Sequence, residues 1–80
     1  MYTVYVLHSV AFGKIYIGYT SNLKARIISH NELGKKGWSR KFRPWDIIHT
    51  EEFSDKQSAM KREKQLKSQK GREFIRTLIK

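Results

Sequence analysis

Eighty residues carry 17 Lys and Arg against 7 Asp and Glu, a formal net charge of +10, and no cysteine. A chain this short supports one small core with no separate targeting or specificity domain, so residues 1–80 are expected to form a single domain. The missing cysteines exclude disulfides and thiolate metal sites, and the charge favours a polyanionic partner that releases its condensed counterions on binding.

Hydrophobic residues make up 39% of the chain, low but sufficient to favour a folded domain over disorder. The chain opens directly on an alternating strand pattern without a charged segment and apolar stretch ahead of it, so no secretory signal is expected. No apolar run approaches the roughly 20 residues of a membrane span. A cytoplasmic protein that binds nucleic acid and no membrane is the expectation.

The first predicted element is a strand over Tyr2 to Leu7, where Tyr2, Thr3, Val4, Tyr5 and Val6 are β-branched or aromatic. A connector from His8 to Gly13 leads to a second strand, Lys14 to Tyr19, and the short link predicts an antiparallel hairpin. Strand parity puts Tyr5 on one face with Thr3 and Leu7, and Tyr16 on one face with Gly18. Gly18 lacks a side chain, which predicts an opening beside Tyr16 wide enough for a substrate backbone.

Ser21 or Asn22 can cap a helix that runs to about Asn31, with Leu23, Ile27 and His30 on its inward stripe. Arg26 and His30 are an i, i+4 pair at the margin of that stripe. From Glu32 to Pro44 the chain is basic and broken by Gly34 and Gly37, and reads as a loop. A third strand is predicted over Trp45 to Phe53. Ser54 with Gln57 resembles a capping box opening a helix of roughly Asp55 to Gln69. Gly71 allows a break before a terminal helix whose apolar face is Phe74, Ile75, Leu78 and Ile79. The order ββαβαα implies an α+β fold: a small three-stranded antiparallel sheet flanked by helices.

Five residues carry the chemistry of interest. Glu63 interrupts a helix stripe that contains Ala59 and Leu66, where a carboxylate is costly to bury without a compensating cation. It either pairs with Arg26 or a lysine, stays wet, or holds a hard divalent ion, which needs only one or two carboxylates. Arg26 can clamp a phosphate through two parallel hydrogen bonds, or serve as Glu63's partner. His30 can shuttle a proton near neutral pH, or simply sit at the surface. Tyr5 and Tyr16 taken singly are ordinary sheet aromatics. As a proton acceptor, one of them needs its pKa drawn down from about 10 by a cation such as Arg26 or Lys14. Lys14, Lys35, Lys36, Arg40 and Lys41 can follow a phosphate backbone while Trp38 stacks a base. Trp38 and Trp45 can equally cover the small core. His8 and His49 lack comparable companions and read as structural.

Taken together, these positions resemble the GIY-YIG nuclease superfamily over nearly the whole chain. Thr3-Val4-Tyr5 stands where the family has its first triplet, without the Gly, and Tyr16-Ile17-Gly18 matches the second. Asn22-Leu23, Arg26, His30 and Asn31 resemble the helix that follows, and Ala59, Glu63 and Lys67 resemble the family's Ala-x-x-x-Glu-x-x-x-Lys helix. The likeness is to small stand-alone members similar to the N-terminal domain of excinuclease C. Many members have a later Asn; this chain has none beyond Asn31, which leaves that role vacant or to Gln69.

The resemblance implies a metal-dependent DNA endonuclease, with a place in DNA repair or recombination. It implies that Glu63 holds Mg²⁺ or Mn²⁺ and that Tyr5 is the general base or its relay. Tyr16 and His30 would orient water or phosphate, and Arg26 would stabilise the transition state. With no added DNA-binding domain, specificity falls to the domain's own surface, a homodimer or a protein partner. Two other readings remain: a non-catalytic nucleic-acid-binding module, and a partner subunit of a larger repair enzyme.

Overall fold

In the computed structural model, residues 1–28 and 45–79 are described. Strand β1 (Tyr2–Ser9) is the centre of a three-stranded sheet, flanked by β2 (Lys14–Thr20) on one side and β3 (Asp46–Phe53) on the other. Both pairings are antiparallel. β1 runs two residues beyond its predicted end, because His8 and Ser9 stay in register with Ile15 and Lys14. The hairpin then turns at Gly13, whose φ of 62° suits a residue without a Cβ.

Helix α1 (Leu23–Ile28) is capped by Asn22, whose Oδ1 accepts from the Ala25 amide at 3.2 Å. Helix α2 (Lys56–Lys67) begins one residue later than the capping-box reading placed it. Asp55 is the cap, accepting from the Ser58 amide at 2.9 Å. α2 stops at Ser68, and the same residue caps α3 (Gln69–Leu78), so the break falls at Ser68 and not at Gly71. Gly71 lies inside α3 where that helix turns against α2. A Cβ there would meet the Gln65 carbonyl oxygen at 2.3 Å and the Leu66 Cα at 2.4 Å. Of the apolar face predicted for α3, only Ile75 is buried; Phe74, Leu78 and Ile79 remain more than a third exposed.

Alternation along β1 sorts the core into two clusters, one on each face of the sheet. The even-numbered Val4 and Val6 pack with Ala59, Leu66 and Ile75 under α2 and α3. The odd-numbered Tyr5 and Leu7 pack with Trp45, Tyr16, Leu23 and Ile27 on the α1 side. Trp45 reaches that second cluster because of a bulge. Phe53, Glu51 and His49 lie opposite Tyr2, Val4 and Val6, but Leu7 is opposite Ile47, so Ile48 is the extra residue. Without it, Trp45 would share parity with His49 and face the aliphatic side.

Candidate active site

The first element of the site is the β1–β2 register. Tyr5 lies directly opposite Gly18, and Leu7 opposite Tyr16, so both phenols project from the same face two residues apart. Their rings stack with centroids 6.1 Å apart and planes 19° from parallel. Trp45 meets the Tyr16 ring edge-on at 6.2 Å and closes the apolar side of the pair.

Gly18 has a different part from the one expected. A Cβ at that position would stand 2.7 Å from the Tyr5 hydroxyl oxygen and 3.1 Å from Cε1 of Tyr16. The space that glycine leaves is thus occupied by the phenol across the strand pair, and no opening for a substrate backbone remains above it. The glycine lets Tyr5 lie down beside Tyr16.

Helix α1 brings the cation. Arg26 Nε donates to the Tyr5 hydroxyl at 3.4 Å, and hydrogen bonds with the Tyr5 and then the Tyr16 phenol hold the guanidinium above its usual pKa. Arg26 is therefore a partner of the tyrosines and not of Glu63. Burial pushes the Tyr5 phenol up; the Arg26 hydrogen bond pulls the other way without reversing it, and the net shift is upward. This corrects the expectation of a phenol made easier to ionise. Tyr5 is 1% exposed, and removing its proton in that setting strands a phenolate away from water. Tyr16 is only partly buried and is the phenol of the pair within reach of a ligand.

Glu63 stands on α2, which lies on the aliphatic side of the sheet and contacts both β1 and β2. Its side chain is 19% exposed, and the carboxylate faces Lys67, 3.6 Å away and one turn along the helix. Of the three readings open for Glu63, a lysine partner is the one present, and its length and exposure make it weak. Among the described residues no three His, Cys, Asp or Glu side chains gather as a metal cluster. A single carboxylate with spare lone pairs fits a hard divalent ion that keeps most of its own waters.

Lys14 lies at the start of β2, next to Tyr16 in a groove along the outer edge of that strand. His30, Lys35, Lys36, Trp38, Arg40 and Lys41 fall outside the described residues. Two things escaped the sequence. One is the pair of cations that α3 brings to the groove beside Lys67 of α2, Arg72 and Arg76, since the spacing of α3 signals only its apolar face. The other is a cluster around His49, which has companions after all. Its Nε2 lies 2.7 Å from Glu51 Oε2, Arg62 Nε contacts both Glu51 oxygens at 3.0 Å, and Phe74 meets the imidazole edge-on at 5.2 Å. The i, i+2 spacing of His49 and Glu51 on a strand was the available signal.

Comparison with known proteins agrees with this architecture. The sequence pattern of the GIY-YIG catalytic domain matches residues 1–76. A UPF0213 protein of Natronomonas pharaonis is 40% identical over 65 residues, covering 81% of this chain and 75% of the relative. A UPF0213 protein of Halobacterium salinarum is 36% identical over 67 residues, covering 84% and 86%. The solution NMR structure of a UPF0213 protein from Bacillus halodurans superposes with a TM-score of 0.57 at 30% identity, covering 98% of this chain and 85% of that one.

Proposed function

The chain belongs to the GIY-YIG catalytic domain family, and from that membership we propose that it is a divalent-metal-dependent endonuclease that hydrolyses DNA. The observation that carries the reading is the convergence of Arg26 on the stacked Tyr5–Tyr16 pair over Gly18. Two phenols and a guanidinium held on one another by hydrogen bonds form a preorganised polar cluster, set in an otherwise apolar sheet face.

In this reading Arg26 neutralises charge on the non-bridging oxygens as water attacks phosphorus and the P–O bond opens. Tyr5 is a positioning residue, a buried neutral phenol that fixes the guanidinium. Tyr16 is the phenol that touches the attacking water or the phosphate. His30 keeps the role expected of an imidazole, carrying a proton or hydrogen-bonding the phosphate. Glu63 stands on the other side of the sheet from Arg26 and keeps the metal role that the family implies. It would hold the Mg²⁺ or Mn²⁺, whose chemistry when bound is to supply positive charge and lower the pKa of water. The likeness to the N-terminal domain of excinuclease C supports a place in DNA repair or recombination, with a partner protein or a second copy adding specificity.

The test is incubation of the purified protein with nicked, branched and single-stranded DNA in Mg²⁺ or Mn²⁺. Cleavage is expected, and Glu63→Ala and Arg26→Ala should each abolish it. Cleavage that survives Glu63→Ala removes the metal assignment. Salt-dependent binding with no hydrolysis on any of these substrates replaces the enzyme with a binding module.

A further inference from the structure

Strand β2 is an edge strand, and its four residues Lys14, Ile15, Tyr16 and Ile17 line one wall of a groove of about 610 Å³. The other wall is α3, with Lys67 at the end of α2. Arg72, Ile75 and Arg76 on α3, with Ile79 at its C-cap, recur at helical spacing and line one side. The isoleucines give the groove an apolar floor, while Lys14, Lys67, Arg72 and Arg76 make a cationic rim. The adjoining hollow continues the same wall past Gln69, with Glu73 its one acidic member. Among the described residues no carboxylate pairs with Arg72 or Arg76.

We infer that this groove is a track for an unpaired nucleic-acid strand, which it leads to Tyr16. A double helix presents phosphates outward and keeps its base faces stacked inside, so it matches the rim and has nothing to offer the floor. A single strand offers both, phosphates to the four cations and exposed base and sugar faces to Ile15, Ile17 and Ile79. An extended peptide adding to the β2 edge would satisfy the backbone of that strand. It would bring no charge complementary to four cations unless it were strongly acidic. Tyr16 lines the groove from β2 while its ring stands with Tyr5 on the opposite face of the sheet, so a strand lying in the track runs along the edge that carries the candidate site. The direction of travel rests on the nuclease reading; binding in the track does not.

The experiment is fluorescence anisotropy with a short labelled oligothymidylate, and with a duplex of the same length, in EDTA so that nothing is cut. The single strand is expected to bind more tightly than the duplex. Arg72→Gln with Arg76→Gln should weaken it about tenfold at moderate salt. The same pair should flatten the salt slope by roughly 1.4, at about 0.7 per lost phosphate contact on a single strand. Lys14→Gln, on the opposite wall, provides an independent variant should the double substitution disturb α3. Ile79→Ser should weaken the single strand while leaving the slope unchanged. Wild-type affinity in the arginine and Lys14 variants overturns the track, as does displacement of oligothymidylate by duplex or polyglutamate at equal concentration. Binding that passes these tests without cleavage in Mg²⁺ leaves the track standing and removes the nuclease. Cleavage by a protein whose variants bind normally does the reverse.

Discussion

The two faces of the sheet are built from the same strand by opposite means. On the α2–α3 face, β1 contributes Val4 and Val6 to a cluster with Ala59, Leu66 and Ile75, in which no buried member carries a polar atom on its side chain. On the α1 face, β1 contributes Tyr5 and Leu7 to a cluster with Trp45 and Tyr16, and the phenols bring hydroxyls into it. The buried aliphatic cluster derives its stability from burial alone, which scales with area and tolerates small rearrangements. The aromatic face must also hold its hydroxyls and Arg26 in one arrangement, and directional hydrogen bonds do not tolerate the same shifts. The parity of a single strand thus keeps the phenols and Arg26 apart from the aliphatic cluster.

Substitutions on the two faces should separate in kind as well as size. Leu66→Ala removes a fully buried side chain and should cost about 2–5 kcal/mol in urea unfolding. Near-UV circular dichroism from the Tyr5–Tyr16–Trp45 stack should stay unchanged in the folded fraction. A loss of that signal before unfolding would join the two faces into one. Gly18→Ala forces the Tyr5 hydroxyl away from a Cβ 2.7 Å distant and should cost about 1–3 kcal/mol. Its cleavage activity should fall much further than its stability, because Arg26 moves with the phenol. Equal activity in the variant would mean that the stack does not position the site.

Tyr5→Phe is the sharper version of the same comparison. It keeps the ring and removes only the oxygen that Arg26 Nε contacts, so the stability change should stay within about 0.5–1.5 kcal/mol. Cleavage should drop by an order of magnitude or more at saturating substrate, with little change in binding. A drop in binding alone would make Tyr5 structural.

The smallest effects are pH slopes of opposite sign on the two faces. Burial pushes the Tyr5 phenol up more than Arg26 lowers it. Its share of stability is therefore complete below the ordinary phenol value of about 10 and lost as pH rises through the higher folded value. On the other face burial alone would raise the Glu51 carboxyl, but hydrogen bonds from Arg62 and His49 bring it below its usual range. Its share is complete above the ordinary value of about 4.3 and lost as pH falls through the lower folded one. Tyr5→Phe should remove the alkaline slope and Glu51→Gln the acid slope in thermal melts. If either variant removed both, the groups would be coupled through the sheet.

The order of the elements was legible because each carries its own local signal: alternation in β1 and β2, and Asn22 ahead of α1. The antiparallel hairpin followed from the short link between the strands, whereas its register, and with it the shared face of Tyr5 and Tyr16, came from the fold. Boundaries governed by competition were not legible. Asp55 took the cap from Ser54, and Ser68 ended α2 in place of Gly71, since which side chain reaches an amide depends on the local backbone path. The burial of Gly71 by Leu66 depends on how α3 folds back on α2, which no spacing encodes.

For the site, the sequence by itself determined which residue types were present and that Tyr5, Tyr16 and Arg26 came from adjacent elements. Periods of 2 and 3.6 fix faces within an element, and that much needs no tertiary structure. Only the tertiary structure decided what those faces meet. It put the Tyr5 hydroxyl into the space above Gly18 and gave Arg26 to the phenols instead of Glu63. The Ile48 bulge turned Trp45 onto Tyr16. Each of these outcomes rests on contacts between residues distant in the chain, where side-chain volume and desolvation decide and local propensity is silent.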